Sequence, residues 1–198
     1  MKPNLQPLFC IALLAVCGNV FAANLPKNIL DQIPKDYEVH SFQSGELNDD
    51  KLVDYVVVLH KKNEKTVNGD DSAPARPLLL FIQNPDGRFT LVKRNDHVVF
   101  KVDEGGQCDP FDADEKNISI KNHYFTIENA MSCGQHWTDF ITFRYLPALR
   151  DWVFHKRISE NWVLNSRSGP DEDALVSEGR RVVSAKAGAP VLFENYKN

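Results

Sequence analysis

Four oxygen-bearing side chains beside a predicted strand are the strongest candidates for chemistry in this sequence. At relative positions 1, 3, 5 and 9 of one loop stand Glu46, Asn48, Asp50 and Asp54. This spacing lets a curved backbone turn carboxylate and amide oxygens toward one hard cation, and it predicts a weak calcium site that staples the loop. The alternative is an acidic turn in which the same side chains accept hydrogen bonds from neighbouring backbone amides.

Two cysteines form the second candidate group. Of the four in the sequence, two lie in a predicted export signal, so the exported chain keeps only Cys108 and Cys133. An even number of cysteines in an oxidising compartment predicts a disulfide. A zinc site would need two more ligands at short spacing. The disulfide is therefore the expected state of this pair.

The two segments that the disulfide would join are the longest irregular stretches in the second half of the chain. We expect them to meet on one rim and to form a partner-binding surface, with candidate residues Asp109, Phe111, Asp112, His136 and Trp137. In the alternative, Phe111 and Trp137 only close the end of the core. A further alternative pairs His136 with Asp109 or Asp112 as acid and base. The sequence carries no Gly-x-Ser-x-Gly, His-Glu-x-x-His, P-loop or Gly-x-Gly-x-x-Gly motif.

Residues 1–22 are predicted to be a signal peptide. A positive charge precedes an apolar run over 8–16 that is too short to span a bilayer comfortably, and the residues before Ala23 suit signal peptidase. Cleavage before Ala23 would release a periplasmic protein. Cys17 offers a lipoprotein alternative, but a valine precedes it where a small residue is expected.

The apolar pattern predicts one β-rich domain over 23–198. About eight short strands, separated by turn-forming residues, favour an antiparallel sandwich or a curved sheet. The runs 53–59 and 78–82 are apolar almost throughout, which indicates strands buried on both faces. The other strands are predicted over 37–42, 89–92, 98–102, 118–120, 124–128, 137–145, where apolar and polar residues alternate, and 152–158. The remaining predicted elements are a short helix over 25–34, a helix over 171–183, and a terminal strand or docking hook at 191–193 inside a polar, partly ordered tail over 166–198.

Charge and hydropathy narrow the range of partners. The formal net charge of −4 argues against nucleic acid and anionic lipid. No stretch after the predicted signal is long enough to be a transmembrane helix. Calcium is the one cofactor that the residues suggest, and another protein is the expected partner.

The acidic loop and the strand after it resemble a known repeat. Gly45–Asp50 and Val53–Val58 are similar to the calcium-loop half of FG-GAP or VCBS-type repeats, and Leu78–Phe89 resembles the second half. The whole chain resembles a group of uncharacterised exported bacterial proteins that carry a single such unit. The resemblance implies calcium at the loop and a sharp turn at Lys51, where these loops usually carry glycine.

These observations predict a non-enzymatic periplasmic binding module, most plausibly one that binds a protein as an inhibitor or immunity protein does. The alternatives are a small periplasmic hydrolase that uses His136 and a structural protein of the envelope. A hydrolase needs a concave cleft that holds His136 and a carboxylate, whereas a binding module needs a rim with exposed aromatic side chains.

Overall fold

The computed structural model describes residues 24–62, 64, 73–106, 108–112, 116–134, 136–167, 169 and 173–198. The predicted signal peptide, Cys17 within it and most of the loop between the second and third strands lie outside the described residues. The described chain is mainly β and antiparallel, as the sequence predicts. Its elements are α1 (Lys27–Leu30), β1 (Tyr37–Gly45), β2 (Asp54–Lys61), β3 (Arg76–Gln83), β4 (Phe89–Val99), β5 (Ile118–Lys121), β6 (Tyr124–Met131), β7 (His136–Leu146), β8 (Asp151–Leu164), β9 (Leu175–Ser184) and a 3₁₀ turn (Phe193–Asn195).

The strands form two sheets, each with its strands in chain order. Sheet A has the order β1-β2-β3-β4 and sheet B the order β5-β6-β7-β8-β9. One buried apolar cluster takes side chains from both sheets, so the sheets pack face to face around it. Within each sheet, every strand pairs antiparallel with the strand that follows it in the chain, which accounts for this simple topology.

Strands β2 and β3 are buried on both faces, which confirms the prediction from their apolar runs. Val56 pairs with Leu80, and both side chains enter the core between the sheets. Their neighbours Val57 and Leu79 point to the other face, where Ile29 of α1 covers them. The short helix therefore completes a second, smaller core on the outside of sheet A.

The predicted docking hook at 191–193 is also present. The amide of Phe154 on β8 donates to the carbonyl of Val191 at 2.8 Å, which aligns the last segment with the sheet. Phe193 is fully buried, and the ring of Tyr196 stacks on Phe154 at 4.8 Å between centroids. The segment thus closes one side of the core.

The helix predicted over 171–183 is wrong. Leu175–Ser184 is strand β9, which pairs with β8 along its whole length. Its valines, among them Val176 and Val182, favour an extended backbone because they are β-branched. The long neighbouring strand supplies the hydrogen-bond partners, and this tertiary pairing decides the outcome.

Two other element boundaries differ from the predictions. The strands predicted over 89–92 and 98–102 are one strand, β4, which ends at Val99. The polar residues between them lie on β4, where Asn95 is buried and holds the C-terminal segment. The helix predicted over 25–34 is confined to Lys27–Leu30. None of the helices in the described ranges is of a length and hydropathy that would let it cross a membrane.

Candidate functional site

Asp54 is the most deeply buried of the four predicted calcium ligands. Its carboxylate accepts a hydrogen bond from the amide of Leu47 at 2.9 Å and another from the amide of Gln83 at 3.1 Å. The side chain is fully buried at the start of β2. Burial, with a smaller contribution from the charges of Asp50 and Glu46, outweighs these two amides and raises the pKa of Asp54 to about 6.

The other loop oxygens accept hydrogen bonds from the loop itself. The side chain of Asn48 accepts from the amide of Asp50 at 3.0 Å, and Asp50 accepts from the amide of Leu52 at 2.8 Å. Glu46 accepts from the amide of Lys51 at 3.1 Å. Lys51 has φ 66°, the left-handed turn that the resemblance implies. The loop therefore has the hydrogen bonds of a self-capped acidic turn.

Whether these residues fit calcium depends on how their oxygens converge. Within the part of the chain that the structure describes, no three His, Cys, Asp or Glu side chains are grouped so that they could hold a metal ion. Asn48, Asp50 and Asp54 supply the oxygen chemistry that calcium prefers, but their oxygens are turned to backbone amides. In this structure the four side chains therefore do not surround a position where a calcium ion could bind.

Two contacts fasten the acidic loop to sheet B. The indole of Trp152 on β8 donates from Nε1 to the carbonyl of Leu47 at 2.9 Å. His123, in the turn between β5 and β6, lies 3.4 Å from Glu46 and 3.1 Å from Asp49. The loop is thus part of the contact between the two sheets.

The disulfide between Cys108 and Cys133 is present, with the two Cα atoms 6.4 Å apart. It joins the irregular segment after β4 to the turn between β6 and β7. The amide of Ala130 also donates to the carbonyl of Pro110 at 2.8 Å. The two predicted irregular segments therefore meet, as the sequence analysis expects.

Asp109 is drawn inward by a buried arginine. The guanidinium of Arg76 on β3 donates to both oxygens of Asp109 at 2.6 Å and to Glu64 at 3.0 Å. Arg76 is 1% exposed. Burial would lower the pKa of Arg76, but the hydrogen bonds to Asp109 and Glu64 outweigh burial and raise it. Asp109 therefore holds the loop to sheet A in this structure.

Phe111 is fully buried and belongs to the main core. Its carbonyl is 2.7 Å from Nε2 of His40 on β1, and its ring lies 5.6 Å from the His40 ring. Burial lowers the pKa of His40 despite this hydrogen bond. The Phe111 side chain is not exposed at the surface of the described structure.

The remaining rim residues line two different hollows. Asp112 and Asp109 line a small one of about 250 Å³ beside Cys108. His136 and Trp137 line another, of about 390 Å³, at the end of sheet B. The structure therefore places His136 at a different hollow from the two carboxylates that the acid–base alternative pairs with it.

The hollow at His136 and Trp137 has a further aromatic wall, which sequence reasoning missed. Trp162 on β8 pairs with His136 in the strand register and lines the same space. Leu164, also in the wall, is 77% exposed. We call this hollow, with Trp137, Trp162 and Leu164, the end pocket. The apolar run Trp162–Leu164 at the end of β8 was the available signal, but the strand was predicted to stop at residue 158.

Trp137 is held in place from the side of sheet A. Its ring lies 5.6 Å from that of Phe100, which follows β4. The residue is half-buried, and it lines the end pocket.

Comparison with known proteins finds no matching protein family, no matching curated protein and no matching solved structure. The end pocket must therefore be interpreted from its own chemistry.

Proposed function

We propose that this protein is an exported, non-enzymatic binding module that holds another protein at the end pocket. The proposal rests on one observation: two half-buried tryptophans, Trp137 and Trp162, line the same hollow as Leu164, which is 77% exposed. Tryptophan is among the residues that contribute most to protein interfaces when it lies in a preformed hollow. An exposed leucine beside it supplies apolar area that a partner can bury.

Two contacts hold the end pocket in place, which favours binding without rearrangement. The disulfide at Cys133 lies three residues before His136, and Phe100 packs on Trp137. Side chains that are ordered before association lose less entropy when a partner arrives. The volume of about 390 Å³ suits one or two apolar side chains of a partner. The expected ligand is therefore an apolar protruding segment of a periplasmic protein.

The signal peptide over 1–22, if cleaved before Ala23, would deliver the domain to the periplasm as a free protein. In that compartment, an inhibitor or immunity role would have the end pocket cover a segment of an exported enzyme or toxin. The proposal needs no cofactor.

The experiment is affinity capture from a periplasmic extract with the protein from Ala23 onward, followed by mass spectrometry. Trp137→Ala and Leu164→Ala should each reduce recovery of the same partner. Leu149→Ala is the matched control, because Leu149 is also exposed (48%) but lies in the turn before β8, at the other end of that strand. Circular dichroism checks that each variant folds. Equal recovery by Leu164→Ala and wild type would contradict the proposal.

A further inference from the structure

A larger depression runs along β8 and β9 on the side that faces the core. Arg157 is opposite the core residue Ile141 on β7 and opposite Val183 on β9, so these three side chains share one face of sheet B. Ile141 is fully buried, whereas Val183 is 41% exposed. The same face of sheet B is thus buried in the core at β7 and exposed to solvent at β9. We call the depression, about 950 Å³ in volume and walled by Asn195–Lys197, the basic groove.

The basic groove is positively charged although the chain has a net charge of −4. Four of its lining residues are basic, namely Arg157, Arg180, Arg181 and Lys197, and none of the lining residues that the structure describes is acidic. Arg157 is paired with Asp139, at 2.9 Å from its Nε. The other three basic side chains form no ion pair with a described residue.

The strand register divides these basic groups between the two faces of sheet B. Arg180 lies opposite Glu160 on the other face, whereas Arg181 lies opposite Ser159, which lines the groove. Arg181 and Lys197 are both exposed. Neither forms an ion pair with a described carboxylate, so a guanidinium and an ammonium group remain to donate to a carboxylate of a ligand. The groove therefore favours an acidic ligand.

The shape of the groove selects an extended chain. Its lining on β8 runs from Phe154 to Asn161, which spans about 23 Å at the usual rise of a strand. Val183 and Val191 add apolar surface between the basic groups. A peptide in extended conformation places every second side chain on one face, so a segment with acidic and apolar residues in turn at every second position would meet both kinds of surface.

The aromatic residues of the groove argue against single-stranded nucleic acid. Base stacking needs an open ring face. Phe154 is 7% exposed and Tyr196 is 8% exposed, and the two rings stack on each other. Neither offers a free face to a base.

We infer that the basic groove binds an acidic, extended peptide segment of a partner protein. Carboxylates of the segment accept hydrogen bonds from Arg181 and Lys197, and its apolar side chains lie on Val183 and Val191. This inference is independent of the end pocket, since it uses charge and a different set of lining residues, although Asn161 borders both.

The test uses a synthetic peptide of two Glu-Ser-Val-Ser repeats, about eight residues long to match the groove, which places Glu and Val on one face. Titration calorimetry at low salt should show binding, and the affinity should fall as salt is raised because screening weakens the ion pairs. The double variant R181Q/K197Q should bind at least about tenfold more weakly. The double variant K35Q/K121Q is the control, because it removes two exposed lysines from elsewhere on the surface.

Each outcome decides the inference. Loss of binding in R181Q/K197Q, with K35Q/K121Q like wild type, supports it. Equal weakening in both double variants would show an effect of net charge alone and would overturn it. So would absence of binding at low salt, or tighter binding of the same peptide with Lys in place of Glu, of oligothymidylate or of phosphatidylglycerol vesicles. Circular dichroism confirms that the variants are folded.

Discussion

Arg76 and Asp109 form a bidentate ion pair in which two guanidinium nitrogens each donate, at 2.6 Å, to a separate carboxylate oxygen. Arg76 belongs to β3 of sheet A, and Asp109 follows one of the bridged cysteines. The pair therefore ties the disulfide-bonded segment to sheet A. Glu64 adds a second carboxylate to the same guanidinium.

Replacing Arg76 by methionine should lower the free energy of unfolding by about 3–5 kcal/mol, because it leaves two carboxylates near the core without their cation. Urea denaturation measures the effect. Arg88→Met is the control: Arg88 pairs with Asp86 on the surface, where its side chain is 78% exposed, and such pairs contribute about 1 kcal/mol or less. A stable Arg76→Met variant would mean that the network is not structural.

Removal of the disulfide by Cys108→Ser with Cys133→Ser should cost about 3–4 kcal/mol, since the bond closes a segment with a sequence separation of 25. The loss should appear as a lower urea midpoint. Wild-type protein treated with reductant should match the double variant. If the midpoint is unchanged, the ion pair of Arg76 alone holds the segment.

Calcium at the acidic loop stays a prediction of the sequence. The expected dissociation constant is about 10⁻⁴ to 10⁻³ M, as for other extracellular modules. Calorimetry should lose the binding heat in Asp50→Ala and keep it in Asp86→Ala, which removes an acid from the β3–β4 turn. Absence of heat in the wild type at millimolar calcium would assign the loop to the self-capped turn alone.

His40 should make stability depend on pH. Its pKa is lowered by burial, with Arg76 and His60 acting in the same direction and Asp109 and the Phe111 carbonyl opposing them. Below pH 6.5 the unfolded chain binds a proton that the folded chain resists. The stabilisation is therefore complete above pH 6.5 and is lost as the pH falls through the lowered pKa.

Urea denaturation at pH 8 and pH 5 measures this dependence. His40→Gln should reduce the difference between the two pH values, whereas His97→Gln, on an exposed residue of β4, should not. Part of the dependence will remain, because burial also lowers the pKa of His155. Asp54 acts in the opposite direction in every variant, since its raised pKa of about 6 adds stability as the pH falls from 8 to 5. An unchanged difference in His40→Gln would exclude His40 as its source.

Trp152 and Trp137 should respond differently to alanine. Trp152 is 4% exposed and hydrogen-bonds to Leu47, so Trp152→Ala should cost about 3–5 kcal/mol. Trp137 is half-buried, and its loss should cost clearly less while reducing partner capture. Thermal unfolding and capture, measured on both variants, separate the roles. If Trp137→Ala does not fold, the indole of Trp137 belongs to the core and not to a binding surface.

The strands that could be predicted are those whose own residues determine them. The apolar runs of β2 and β3 and the alternation of β7 are local patterns, and the structure follows them. Strand β9 was mistaken for a helix because all of its residues after Leu175 are exposed, so no apolar face marks it in the sequence. Its conformation depends on the edge of β8, which a local pattern does not contain.

In the candidate site, too, some features could be predicted from the residues alone and others required the structure. The pairing of Cys108 with Cys133 followed from counting cysteines, and the disulfide is present. The pairing of Asp109 with Arg76 joins residues 33 apart in sequence and depends on the way β3 faces the disulfide segment. The basic groove depends on which residues of β8 and β9 extend beyond the covered core, so it too required the structure.

Phe193 follows all of the described strands in the sequence, so it leaves the ribosome after them. Its ring meets those of Phe125 and Phe143 at 5.6 and 5.1 Å, and Asn95 holds the segment by its Phe193 and Tyr196 carbonyls. During synthesis, sheet A can pair as soon as its four strands have emerged, but these two rings keep an open face until Phe193 follows. The nascent chain therefore carries an incomplete core from the time Phe143 emerges, and this part of the core becomes fully packed only once Phe193 has followed.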